Sequence, residues 1–129
     1  MRRGIHIEAA GVEALADLND TRTASAIWDA LPLEATGNRW GDEIYFDIPV
    51  RRETEKGQVV VQPGDLGYWA PGMAFCVFFG PTPASKGDEV RAASVVTVIG
   101  RVRGDPRVFR SVPDGAIVRL SKASGDDQT

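Results

Sequence analysis

Six side chains of this sequence have the types and spacing to work together: Trp40, Glu43 and Tyr45 in one short stretch, and Tyr68, Trp69 and Cys76 in another. If the two stretches meet on one side of a sheet, they make an aromatic-lined pocket with a carboxylate, phenols and a thiol, suited to a small molecule or a short peptide. The competing reading is that the rings pack the interior and Glu43 is a solvated charge at a strand edge. Chemistry beyond binding would fall to Glu43 or to Cys76, the latter as a nucleophile only if a base lowered its pKa. No histidine lies in the segment of Cys76 and its neighbours are apolar. A buried structural thiol is therefore the expectation, and no residue is assigned a catalytic role.

The remaining polar motifs carry less. His6 is the single histidine and alternates with Ile5 and Ile7. No Cys/His spacing suits zinc, so neither a metal nor a cofactor is expected. Gly64-Asp65-Leu66-Gly67 has neither the dinucleotide nor the phosphate-loop spacing and reads as a turn. Arg103-Gly104-Asp105 reads as a turn as well. Arg101, Arg103, Arg107 and Arg110 form a modest basic cluster expected to face solvent.

The elements that must position the six are short. Residues 5–10 and 12–18 alternate with period two around Gly11, which predicts a hairpin. Asn19-Asp20-Thr21 offers capping side chains, and Ala24, Ile27, Trp28 and Leu31 recur at helical spacing before Pro32, so one helix is expected over 21–31 with Trp28 in the core. Residues 33–36 read as a short strand and 37–42 as a turn. Glu43-Ile44-Tyr45-Phe46-Asp47-Ile48 alternates cleanly, with Ile44, Phe46 and Ile48 on the apolar face. The mixed charges of 51–57 predict a solvated loop, and 58–62 a strand. Glycine and proline frame two strands through Tyr68-Trp69 and Phe75 to Phe79, joined by a Pro-Gly turn. The β-branched run 93–100 predicts a buried strand, 108–109 a helical turn and 115–120 a closing strand.

The chain has 129 residues, 43% apolar and 26% charged, with 15 basic against 18 acidic side chains. This is most simply one soluble domain, over 1–120, followed by a flexible polar tail over 121–129. A nucleic-acid partner is not expected without a basic surplus, and the longest apolar run, 73–79, is too short for a membrane span. A single cysteine and a start without a signal peptide fit a cytoplasmic protein. Assembly into a homo-oligomer stays open.

Gly64-Asp65-Leu66-Gly67-Tyr68-Trp69-Ala70-Pro71-Gly72, continued by Cys76-Val77-Phe78-Phe79-Gly80-Pro81-Thr82-Pro83, closely resembles the signature of a family of small uncharacterised bacterial and archaeal proteins with a cyclophilin-like barrel. Asn38-Arg39-Trp40-Gly41-Asp42-Glu43-Ile44-Tyr45-Phe46 resembles its second signature, and Ala93 to Gly100 its late strand. The resemblance covers residues 3–120. It implies a mainly β fold, an eight-stranded closed cyclophilin-like β-barrel with one or two helices, and a more distant likeness to barrel domains of allophanate-hydrolase-type proteins. Active cyclophilins use an arginine in a Phe-His-Arg context to lower an amide rotation barrier of about 18–20 kcal/mol. That tripeptide is absent here, so isomerase activity does not carry over. The expectation is a non-catalytic barrel that binds a small molecule or short peptide, with a divergent prolyl isomerase or a hydrolase-related enzyme as the alternative.

Overall fold

The computed structural model of the chain describes residues 3–123. Strands β1 (Arg3–Ala9) and β2 (Val12–Leu18) pair antiparallel across a two-residue loop. Both loop residues have positive φ, 51° at Ala10 and 82° at Gly11, the combination that matches the twist of the flanking strands. Helix α1 (Arg22–Ala30) follows, and the Thr21 side chain caps it by accepting from the Ala24 N–H. Ala24, Ile27 and Trp28 are buried, as their spacing predicts.

The other strands are β3 (Leu33–Thr36), β4 (Asn38–Arg39), β5 (Glu43–Asp47), β6 (Gln58–Val61), β7 (Asp65–Trp69), β8 (Ala74–Phe78), β9 (Val90–Val102) and β10 (Ile117–Lys122). Short 3-10 turns, Ala70–Gly72 and Pro106–Ser111, complete the mainly β fold. The sheet runs β3-β10-β1-β2-β9-β7-β8-β5-β4, with β6 attached to β9 outside this path.

The expectation of eight strands in a closed barrel is thereby corrected. Among the described residues the sheet has ten strands and hydrogen bonds do not close it. Its two outermost strands, β3 and β4, are consecutive in the chain and are joined at Gly37. The backbone of Gly37 is committed to the β10 side, donating to the Ala116 carbonyl at 2.7 Å and accepting from Gly115 at 2.9 Å. A Cβ at this crossing would lie 3.0 Å from the Val118 side chain. The chain therefore passes from one end of the sheet to the other through a residue where even a methyl group would crowd Val118, Ala116 and Ile44.

Two apolar clusters stabilise the sheet. The larger gathers Ile5, Ile7, Phe46, Leu66, Tyr68, Phe75 and Ile99, with α1 packed against it. The smaller, on the opposite face of β7 and β8, holds Val61, Cys76, Phe78, Val90, Ala92 and Val96. All five residues of β8 are consequently buried, which accounts for its unbroken apolar run.

The charged loop over 51–57 is attached to the helix instead of simply solvated. The Glu55 carboxylate accepts from the Arg22 and Thr23 N–H groups at 3.1 and 2.7 Å and from the Thr23 hydroxyl at 2.6 Å. Its own N–H donates to the buried Thr97 hydroxyl at 2.8 Å. At the other end, β10 runs to Lys122 and Ala123 is buried, two and three residues past the expected edge of the domain. The rest of the expected tail, 124–129, lies outside the described residues.

Candidate functional site

The register between β5 and β8 sets Glu43 opposite Phe78 and Tyr45 opposite Cys76. Between β7 and β8, Gly67 lies opposite Cys76 and Trp69 opposite Ala74. Paired residues share a face and neighbours along a strand do not, so Glu43, Tyr45, Trp69 and Cys76 all project to the side of the smaller cluster. Trp40 joins them from the turn between β4 and β5, which closes with a bond from the Trp40 N–H to the Glu43 carbonyl at 3.0 Å. These five residues line one cleft of about 250 Å³, and Ala74, Ala92, Ala93 and Val96 provide the rest of its wall.

Tyr68 is placed elsewhere. It follows the same alternation to the opposite face, where it is fully buried in the main core. Its hydroxyl donates to the Val50 carbonyl and accepts from the Arg52 N–H at 3.2 Å. The tyrosine fixes the loop after β5 and takes no part in the cleft.

The ring of Trp69 is held from two sides. Its Nε1 donates to the Ser94 hydroxyl at 2.6 Å. The six-membered ring lies so close to Gly72 that a Cβ there would be 2.6 Å from Cζ3. Gly67 has a related task, since a Cβ at this position would meet the Phe78 ring at 3.0 Å. Sequence reasoning missed Ser94 and these close approaches. The Pro-Gly pair at 71–72 signals a turn but not the ring packed upon it.

The turn that carries Trp40 is fixed as well. Arg39 donates to the carbonyls of Gly41, at 3.1 and 2.9 Å, and Val112, at 2.7 Å, while its guanidinium lies 5.0 Å from the Phe79 ring centre. Gly41 has φ +62° and a Cβ there would strike Pro83 at 2.8 Å. Asp42, next to Glu43 in the chain, faces Arg39 and Arg110 at 3.5 and 3.6 Å.

The electrostatic centre of the cleft is Glu43. It is 6% exposed, and among the described residues no cation pairs with it. Burial pushes its carboxyl up from the usual carboxylate range to about 7, partly offset by the hydrogen bond from the Cys76 thiol. Burial also pushes the Cys76 thiol well up, and the neighbouring Glu43 charge adds to this. The thiol is thus kept protonated and acts as a donor, the reverse of what a nucleophilic cysteine needs. Among the described residues no three His, Cys, Asp or Glu side chains gather as a metal centre would require, and no helix is long and apolar enough to cross a membrane.

Comparison with known proteins accords with this architecture. A search of curated proteins returns no match. The solution structure of a hypothetical protein from Archaeoglobus fulgidus superposes with a TM-score of 0.81, is 41% identical, and the match covers 95% of each chain. The family model described as cyclophilin-like matches residues 3–121. A match over nearly the whole described chain, with the sheet and signatures laid out above, means that this chain belongs to the cyclophilin-like family.

Proposed function

We propose that this protein is a binding module without catalytic chemistry of its own, holding a small molecule or one side chain of a short peptide in the cleft beside Trp40 and Trp69. One observation carries the reading: a buried carboxyl with no salt-bridge partner among the described residues lies in a cleft whose other walls are aromatic or small. Burying such a group costs several kcal/mol in general unless donors satisfy it. The fold gains no packing from it that an apolar side chain would not supply, whereas a ligand with hydrogen-bond donors would complete its bonding. The volume of about 250 Å³ lies below the roughly 300–1,000 Å³ of pockets for drug-sized ligands, which favours an occupant the size of one ring or one side chain.

The test is a fragment screen read by NMR at the indole N–H signals of Trp40 and Trp69. At least one fragment is expected to shift both signals saturably, and Trp40→Ala and Glu43→Gln are expected to weaken it by about tenfold or more. Fragments that bind equally well to both variants would overturn the assignment.

A second reading, a hydrolase-related enzyme with Glu43 as general acid or base, is favoured by a carboxyl that titrates at about 7. Cys76 does not assist it as a nucleophile. Hydrolysis of simple esters or amides that is unaffected by Glu43→Gln would remove this reading.

A further inference from the structure

Building on the cleft as a binding site, we propose that it selects a small organic cation, an ammonium group or protonated nitrogen heterocycle on an apolar body, whose N–H groups donate to Glu43 while its charge lies against the rings of Trp40, Tyr45 and Trp69. Three features of the cleft lead there. First, among the described residues no lysine, arginine or histidine lines it, so an anionic ligand would find no counter-charge there and would meet the Glu43 carboxylate. Second, no hydrogen bond from another side chain to the Glu43 carboxylate is found among the described residues beyond the influence of the Cys76 thiol, and a carboxylate offers about four lone-pair sites to a ligand's donors. Third, aromatic faces attract cations, most strongly where water is thin. The Trp69 ring is already fixed by Ser94 and Gly72, so little ordering is needed on binding.

Charge selection of this kind depends on pH. Burial holds the carboxyl near 7, and the groups facing it are few. From β8 comes Cys76, from β5 itself Tyr45, while β7 and β9 contribute Trp69, Ala92, Ala93 and Val96, none of which titrates. Asp42 is engaged with Arg39 and Arg110. Above pH 7 the carboxylate is charged and receives the cation directly. Below it, binding must displace a proton, and affinity falls by about tenfold per pH unit.

The experiment titrates the full chain with benzylammonium, benzyl alcohol and benzoate at about pH 8 and about pH 5.5, following the Trp40 and Trp69 indole signals. At the higher pH benzylammonium is expected to bind about tenfold tighter than the alcohol, with benzoate weakest. At the lower pH, or in Glu43→Gln, the advantage over the alcohol should vanish. If that variant does not fold, Trp40→Ala supplies the second measurement, with benzylammonium affinity expected to drop by about threefold to tenfold. Equal affinity for the alcohol and the ammonium at the higher pH overturns the cation proposal and leaves the binding role intact. So does a preference for benzoate, or a preference for the ammonium that persists at the lower pH or in Glu43→Gln. If no probe moves either indole signal, the binding role itself falls.

Discussion

Glu43 and Cys76 stand diagonally across β5 and β8 and both line the cleft, while the thiol donates to the Ala74 carbonyl on its own strand at 3.9 Å. The influence is not symmetric: burial raises both pKa values, the Glu43 carboxylate raises that of the thiol further, and the thiol lowers that of the carboxyl. The pair makes the floor of the cleft a neutral or singly negative surface around neutral pH.

The first prediction concerns stability and pH. The Glu43 carboxyl rises from 4.5 to about 7 on folding. The folded state therefore binds the proton more tightly, and the associated stability is present below pH 4.5 and lost as pH rises through about 7. The loss amounts to about 3 kcal/mol when complete. Urea unfolding of the native chain at acidic and alkaline pH should show it, and Glu43→Gln should remove this part of the slope and be the more stable protein above pH 7. A variant that keeps the native pH profile would contradict the assignment.

Cys76 should resist alkylation. Burial and the adjacent carboxyl keep it protonated. Iodoacetamide at mildly alkaline pH should label it slowly in the folded protein and rapidly in denaturant, as followed by mass spectrometry. Labelling at the rate of a free thiol in the native protein would show that the thiol is accessible and ionised.

Gly72→Ala should dislodge Trp69. The added methyl would overlap the ring, and a well-packed site accommodates such an insertion at a cost of about 1–3 kcal/mol. The expected signs are a lower melting temperature, a red-shifted tryptophan emission and a changed Trp69 indole signal as the bond to Ser94 breaks. An unchanged indole signal would mean that the ring is not held by this contact.

Tyr68→Phe separates the two faces of β7. Loss of the hydroxyl leaves the Val50 carbonyl and Arg52 N–H without their partner and should cost about 1–3 kcal/mol. Probe binding in the cleft should be unchanged, whereas Trp69→Ala should abolish it. An equal loss of binding in both variants would refute the division between core and cleft.

Glu55→Ala should loosen the loop over 51–57 from α1, at a cost of about 1–2 kcal/mol for the lost bonds to the helix start. The carboxyl of Glu55 is held below its usual range, chiefly by the Thr23 hydroxyl. Its contribution is accordingly present above pH 4.5 and fades as pH falls below that value. Amide hydrogen exchange at Arg22 and Thr23 is the direct measurement, and protection equal to the native level in the variant would dismiss the latch.

Local signals in the sequence determined much of this protein. The capped helix after Thr21, the Gly11 hairpin and the strand from Glu43 follow from spacing and turn chemistry, because these are set by residues close in sequence, whereas the meeting of the two signature stretches was a condition that the register of β5 and β8 decided. What only the tertiary structure decided concerns which face meets what. The alternation that puts Trp69 in the cleft also sends Tyr68 into the core, and both faces of β7 and β8 are covered, so polarity alone did not separate the two rings. Glu43, on the polar face of an alternating strand, is buried in a cleft that it lines together with Cys76, Ala92 and Val96 of the second cluster. Likewise Glu55 finds the helix start 32 and 33 residues earlier in the chain, and Gly37 joins the two ends of a sheet that hydrogen bonds do not close. Such long-range meetings depend on register and crossing geometry, which no short window of sequence contains.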